Sequence, residues 1–386
     1  MNHMQQISLF QPRKLAFGQN CADHCAADFR RHGWKRAFVV TAPPTGELAC
    51  HFGATLEREG IAVEIYDRID REPTIAMFEA AVAQARAYRP DAIVGMGGGS
   101  PLDVAKLVSA LLDARQSVAE VFGIDLLGGR SVSLACLPTT AGTGSEVSPN
   151  AILLDEKDRM KKGVVSPFLV PDATYVDPVL TVTVPPAVTA YTGLDALTHC
   201  LEAYTNRFSH PAIDLYALEG IRLIAGNLVR AVADGKDIEA REKMALGSLY
   251  GGICLGPVNT AAVHALAYPL GGEFHIAHGL SNAVLLPHVM AFNIPASPER
   301  YADAARALGV EPGGEAMETA RAGVARIRAL ARDCGVTMNL DQLGVPFDAV
   351  PRLAAAAMKV TRLLKNNPRE LAEDDARAIY ECAFRV

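Results

Sequence analysis

The chain has 386 residues, of which half are hydrophobic and 21% charged, and a formal net charge of −6. This composition excludes the disordered and fibrous classes, and the mild acidity argues against a nucleic-acid partner. No uninterrupted apolar run reaches the ~18 residues of a membrane span, and the N-terminal MNHMQQISLFQPRK has no leader pattern, so the expectation is a cytoplasmic protein without a membrane partner.

The length predicts about two or three domains, because single cores stop growing at roughly 250 to 300 residues. The eight cysteines are scattered without the spacing of a disulfide framework, so free thiols are expected. Cys21 and Cys25 stand four apart, but no second close pair completes a zinc site, and a helix face is the simpler reading.

In chain order, RAFVVT (36–41) reads as a strand, Glu47 to Glu59 as a helix, IAVEIY (61–66) as a strand, Ile75 to Tyr88 as a helix and AIVGM (92–96) as a strand. This alternation predicts βαβ units around a Rossmann-like parallel sheet. SVSLACLP (131–138) continues the pattern, and AILL (151–154) and ATYVD (173–177) read as strands bordering the same sheet.

Between AIVGM and the next helix lies GGGSPLDVAK (97–106), the strand-to-helix context that a phosphate-binding loop requires. Ser100 reads as the N-cap, Pro101 as the first helical residue and Asp103 as the capping-box partner three positions on. Gly97, Gly98 and Gly99 put no side chain between the backbone and a diphosphate, and the helix dipole favours an anion there; a tight turn that binds nothing is the alternative. A second polar loop, PTTAGTGSEVSPN (138–150), follows the next strand, at the sheet edge where ligands of open α/β folds bind. Its Thr139, Thr140, Thr143 and Ser145 offer donors to phosphate, ribose or carboxamide groups, or form a solvated turn. Downstream, Lys161 and Lys162 could neutralise phosphate, although EKDRMKKG reads more simply as a wet turn.

After Pro185-Pro186, which fits a helix start, the texture changes to helical periodicity over 186–206, 211–232, 238–255, 300–309, 315–335 and 348–360. The predicted division is therefore an α/β domain over 1–184 and an all-helical domain over 185–386. In TGLDALTHCLEAY (192–204), Asp195 and His199 stand at i and i+4, one helical turn apart on one face. Taken alone, that pair also fits a carboxylate steadying a core histidine. His264 and His278, separated by a Pro-Leu-Gly-Gly break that can turn the chain, would complete a shell of three imidazoles and one carboxylate. Such a donor set suits Fe(II), Zn(II) or a similar divalent ion.

Together, GGGSPLDVAK, PTTAGTGSEVS, GLDALTHCLEAY and HALAYPLGGEFHIAHGLSNAVLLPH resemble the iron-type (group III) alcohol dehydrogenase family in order and spacing, over roughly residues 8–295. The resemblance implies an N-terminal dinucleotide-binding α/β domain, a helical C-terminal domain, an active site in the cleft between them, and reversible interconversion of a small alcohol and an aldehyde or ketone. It implies Asp195, His199, His264 and His278 as metal ligands. It implies NAD or NADP contacts at Gly97, Gly98, Gly99, Ser100, Asp103, Thr139, Thr140, Thr143, Ser145, Asn150, Lys161 and Leu180. A homo-oligomer, dimer or larger, is implied as well. Maleylacetate-reductase-like or glycerol-dehydrogenase-like activity is the nearest alternative, GGICLGPV (251–258) resembling the former. A nucleotide- or metal-binding sensor without catalysis is the alternative from outside the enzymes.

Three positions depart from the family pattern. Ala42 stands where an aspartate would bind the adenosine ribose and repel a 2′-phosphate, while Glu72 replaces a common asparagine and would oppose that phosphate. Tyr268 replaces a histidine linked to proton relay or nicotinamide placement; a phenol with its ordinary pKa near ~10 is a poor base at neutral pH. His275 is the nearby candidate for the relay, its alternative being an exposed loop histidine.

Overall fold

The computed structural model describes residues 6–157, 160–311 and 313–385. Two compact units emerge. One contains residues 10–140 and 144–183, the other residues 6–9, 141–143 and 184–385.

The first unit is α/β. Strands β1 (Lys14–Phe17), β2 (Arg36–Val40), β3 (Ala62–Tyr66), β4 (Ala92–Gly97), β6 (Ser133–Pro138) and β9 (Ala173–Val176) form one parallel sheet in the order β1-β9-β6-β4-β2-β3. The inner strands read as unbroken apolar runs because both faces are covered. Phe38 and Val40 point to the core that holds Phe78 and Leu107 of α3 (Ile75–Tyr88) and α4 (Gly99–Leu111). Ala37 and Val39 point to the core that holds Phe29 and Leu56 of α1 (His24–His32) and α2 (Gly46–Arg58). The chain places β3 on one side of β2 and β4 on the other, so the topological switch point lies between β2 and β4, where ligands of open α/β sheets bind.

The expectation that AILL borders this sheet fails. It lies in β7 (Asn150–Asp155), which pairs antiparallel with β8 (Met160–Val165) in a separate three-stranded sheet completed by β5 (Gly123–Ile124). ATYVD does join the main sheet, but inside it, between β1 and β6. The wet-turn reading of Lys161 and Lys162 fails too: both lie in β8, Lys161 paired with Glu72 at 3.0 Å and Lys162 with Asp155 at 2.6 Å.

The second unit is helical: α5 (Pro186–Thr205), α6 (Pro211–Ala233), α7 (Ile238–Leu255), α8 (Ala262–Phe274), α9 (His278–Asn293), α10 (Pro298–Ala307), α11 (Ala316–Asp333), α12 (Val350–Ala357), α13 (Thr361–Leu364) and α14 (Glu373–Cys382). Pro186 occupies the first position of α5, as the sequence predicts. Helix α5 is buried on nearly every side among its neighbours, which places its polar residues in the core and obliges them to find partners. The Pro-Leu-Gly-Gly segment does not turn the chain, because Pro269 sits inside α8. The reversal comes at His275, which adopts a left-handed φ of 55° after the last turn of α8. Among the described residues, no helix is long and apolar enough to cross a membrane. All eight cysteines are free.

Candidate metal centre and nucleotide loop

Asp195 and His199 project from the same face of α5 and are 2% and 5% exposed. Helix α8 brings His264 beside them, and His278, the first residue of α9, approaches from the end of the reversal. Three imidazole Nε2 atoms surround one carboxylate oxygen: Asp195 Oδ1 lies 3.9 Å from His199, 3.6 Å from His264 and 3.7 Å from His278. Ligands on a tetrahedral ion with bonds of about 2.0–2.2 Å stand about 3.5 Å apart, so the three Asp195 distances come close to this spacing, while His278 lies outside the group of mutually close donors and would have to move toward the other imidazoles. Asp195, His199 and His264 alone already offer donor atoms within 4.8 Å of one another.

Electrostatics support the fit. Burial by itself would raise the Asp195 carboxyl, but His199, His278 and His264 overcome it and hold Asp195 well below the usual carboxylate range. Burial pushes His199 down against the pull of Asp195, whereas at His264 the carboxylates of Glu202 and Asp195 outweigh burial and raise the ring to about 9. The focal point thus favours a positive group. Asn282 supplies the partial version: its Nδ2 donates to Asp195 Oδ1 at 2.6 Å and lies 3.1 Å and 3.3 Å from the Nε2 atoms of His264 and His278.

Asn282 and Glu202 did not stand out in the sequence. Their signal was periodicity, since Asn282 is four residues after His278 and Glu202 three after His199, each on the same helix face as a histidine of the cluster.

In the α/β unit, the glycine loop opens at the carboxyl end of β4, beside the switch point. Gly97 has φ 150°, and a Cβ there would lie 2.4 Å from Pro101 Cγ, so the turn itself demands this glycine whatever it binds. A Cβ on Gly98 would face Thr140 Oγ1 at 3.4 Å, and Thr139 N donates to Gly97 O at 2.9 Å. The structure therefore brings Gly97, Gly98, Thr139 and Thr140 together on adjacent strand ends. Thr139 Oγ1 and Asn150 Oδ1 are buried without hydrogen-bond partners among the described residues, donor and acceptor capacity that a polar ligand would satisfy.

The capping reading fails. Gly98 is the N-cap of α4, Gly99 and Ser100 lie within its first turn, and Asp103 faces another element. Its carboxylate accepts Ser145 Oγ at 2.5 Å and the Ile152 amide at 2.9 Å, while the fully buried Lys106 donates to the Ser148 and Asn150 carbonyls, each at 2.8 Å. Asp103 and Lys106 thus fasten the second polar loop and β7 to α4. Thr143 belongs with the helical unit. Leu180 packs, partly buried, on the core of α1 and α2.

Residues 12–178 match the iron-containing alcohol dehydrogenase family, and residues 189–384 match the C-terminal part of the Fe-containing alcohol dehydrogenase family. The long-chain-alcohol dehydrogenase 1 of Geobacillus thermodenitrificans is 40% identical over 373 residues, 95% of this chain and 94% of that one. The chain belongs to the iron-containing alcohol dehydrogenase family. Its other relatives include the 1,3-propanediol dehydrogenase of Klebsiella pneumoniae, 36% identical over 97% of each chain. A crystal structure of a 1,3-propanediol oxidoreductase superposes with a TM-score of 0.94 at 34% identity, covering 98% of this chain and 100% of that one. Tyr268 lies beside the centre in this family of alcohol and aldehyde oxidoreductases. It is partly exposed on α8, its ring centroid 6.1 Å from that of His278, and the His278 side chain is the most open of the four at 27% exposure. Tyr268 therefore flanks the open side of the centre. His275 is exposed beyond the end of α8.

Proposed function

We propose that this family member interconverts a small alcohol and its aldehyde or ketone, with NAD or NADP as hydride carrier and with Fe(II) or Zn(II) held by Asp195, His199, His264 and His278. The observation that carries the reading is the convergence of three Nε2 atoms on one Asp195 oxygen. The ion would polarise the substrate oxygen and favour its alkoxide, and the nicotinamide would exchange the hydride.

The chain's own residues do the rest. Asp195 brings the only negative charge among the ligands. Gly97, Gly98 and the first amides of α4 leave room and donors for a diphosphate, and Thr139, Thr140 and Asn150 offer polar atoms beside it. Tyr268, at the open side, positions substrate or nicotinamide. Tyr268→Phe is expected to keep kcat and its pH profile, with KM raised about 2- to 10-fold for one lost hydrogen bond. His275→Ala should match wild type. A kcat loss of about 100-fold or more in either variant would instead mark a proton-transfer role.

Ala42 leaves no carboxylate after β2 to repel a 2′-phosphate, and Glu72 has its charge compensated by Lys161 at 3.0 Å. Protein stripped of metal, reloaded with Fe(II) or Zn(II) and assayed with NADH and NADPH against short aldehydes, hydroxy-aldehydes and keto acids tests the whole reading. The kcat/KM values for the two cofactors are expected to agree within about tenfold, a difference of about 1.4 kcal/mol. No turnover with either cofactor after reloading would refute the proposed activity. A cytoplasmic homo-oligomer completes the proposal. Leu15 and Phe17, each 39% exposed on the edge strand β1, offer the apolar surface that a second copy would cover.

A further inference from the structure

Glu202 is 5% exposed on α5, and nothing in the reaction above uses it. Its two oxygens serve neighbouring residues at the start of α8: Oε1 accepts the Val263 amide at 2.7 Å and Oε2 accepts His264 Nδ1 at 2.6 Å. The Val263 amide belongs to the first turn of α8, where amides have no partner within the helix. One carboxylate therefore caps the helix and grips the imidazole on its next residue. The corresponding Nδ1 of His199 faces only a neutral carbonyl, that of Gly142, at 3.3 Å. Behind Glu202 lies a cavity of about 10 Å³ whose polar walls include Thr205, Asn293, Tyr301 and Asn367.

We propose that Glu202 is a positioning residue of the metal centre: it fixes the His264 ring with Nδ1 protonated and Nε2 presented to the ion, and strengthens that nitrogen as a donor. This assignment rests on the metal-binding reading above. It goes further in making the affinity of the site depend on a residue that touches no ion.

Glu202→Gln retains an oxygen for the Val263 amide and removes the charge, so the fold should persist. Zn(II) affinity, measured by competition with a chelator, is expected to fall about 10- to 100-fold. Equal affinities in variant and wild type overturn the Glu202 assignment alone. Failure of wild type to bind Zn(II) overturns the metal reading and this assignment with it. Should the variant not fold, nitrogen-15 spectra of histidine-labelled, Zn(II)-loaded wild type decide independently. A strongly deshielded proton on His264 Nδ1 is expected, and a proton on Nε2 refutes the assignment.

Discussion

His264→Ala is expected to lose stoichiometric metal and to lower kcat/KM by about 1000-fold or more, since a bound ion would lower the barrier by several kcal/mol through polarising the substrate oxygen. His264 is the decisive member of the proposed ligand set because it is central. Its ring stacks on His199 with centroids 4.8 Å apart, lies 5.2 Å from that of His278, and is 3% exposed. Removing it leaves Glu202 and Asp195 without the group that lies within reach of both. Two controls separate metal loss from unfolding. Metal-free wild type should show the same loss and recover on addition of Fe(II) or Zn(II), whereas the folded variant should not recover. Wild-type turnover in His264→Ala, or metal-free wild type that stays fully active, contradicts the proposed function.

What the sequence reveals of this centre follows from which relations are local. Asp195 and His199 can be paired on paper because helical periodicity places i and i+4 on one face. His264 and His278 join them only through the order and spacing of the four motifs, because their approach depends on how α8 and α9 pack. The expected turn at Pro-Leu-Gly-Gly is in fact helix, and the reversal uses a left-handed His275 that no composition rule marks. Asp103 shows the opposite hazard. Its spacing from Ser100 imitates a capping box, yet the helix begins earlier and the carboxylate ties down Ser145 and Ile152, residues more than 40 positions away. Glu202 and Asn282 look like ordinary helix residues until burial removes water and forces each polar atom to find a partner. The parallel sheet was far more legible, because β2, β4 and β6 are short buried runs alternating with helices.

The second large effect is expected at Gly279, immediately after His278 of the proposed ligand set. A Cβ there would lie 2.3 Å from the Tyr191 carbonyl oxygen, 2.8 Å from its carbon and 3.3 Å from Asp195 Cβ. Two of these three neighbours are backbone atoms of α5, which cannot rotate aside, so α9 must move away from α5. The substitution has an opposing benefit, since alanine is favoured over glycine in a helix by about 1 kcal/mol. At Gly226, exposed on α6 with nothing within 4 Å of the added carbon, that benefit acts alone and Gly226→Ala should raise the melting temperature slightly. At Gly279 the overpacking cost of about 1–3 kcal/mol outweighs it, and Gly279→Ala should lower the melting temperature by several degrees. The displacement also carries His278 away from Asp195 and Asn282. A shift of about 1 Å at a reacting centre costs on the order of 100-fold in rate, so Gly279→Ala should weaken Zn(II) binding and lower kcat/KM by that order. Calorimetry of both variants together with a Zn(II) titration checks the pair. If Gly279→Ala keeps the wild-type melting temperature and metal affinity, the close approach of α9 to α5 does not set the position of His278.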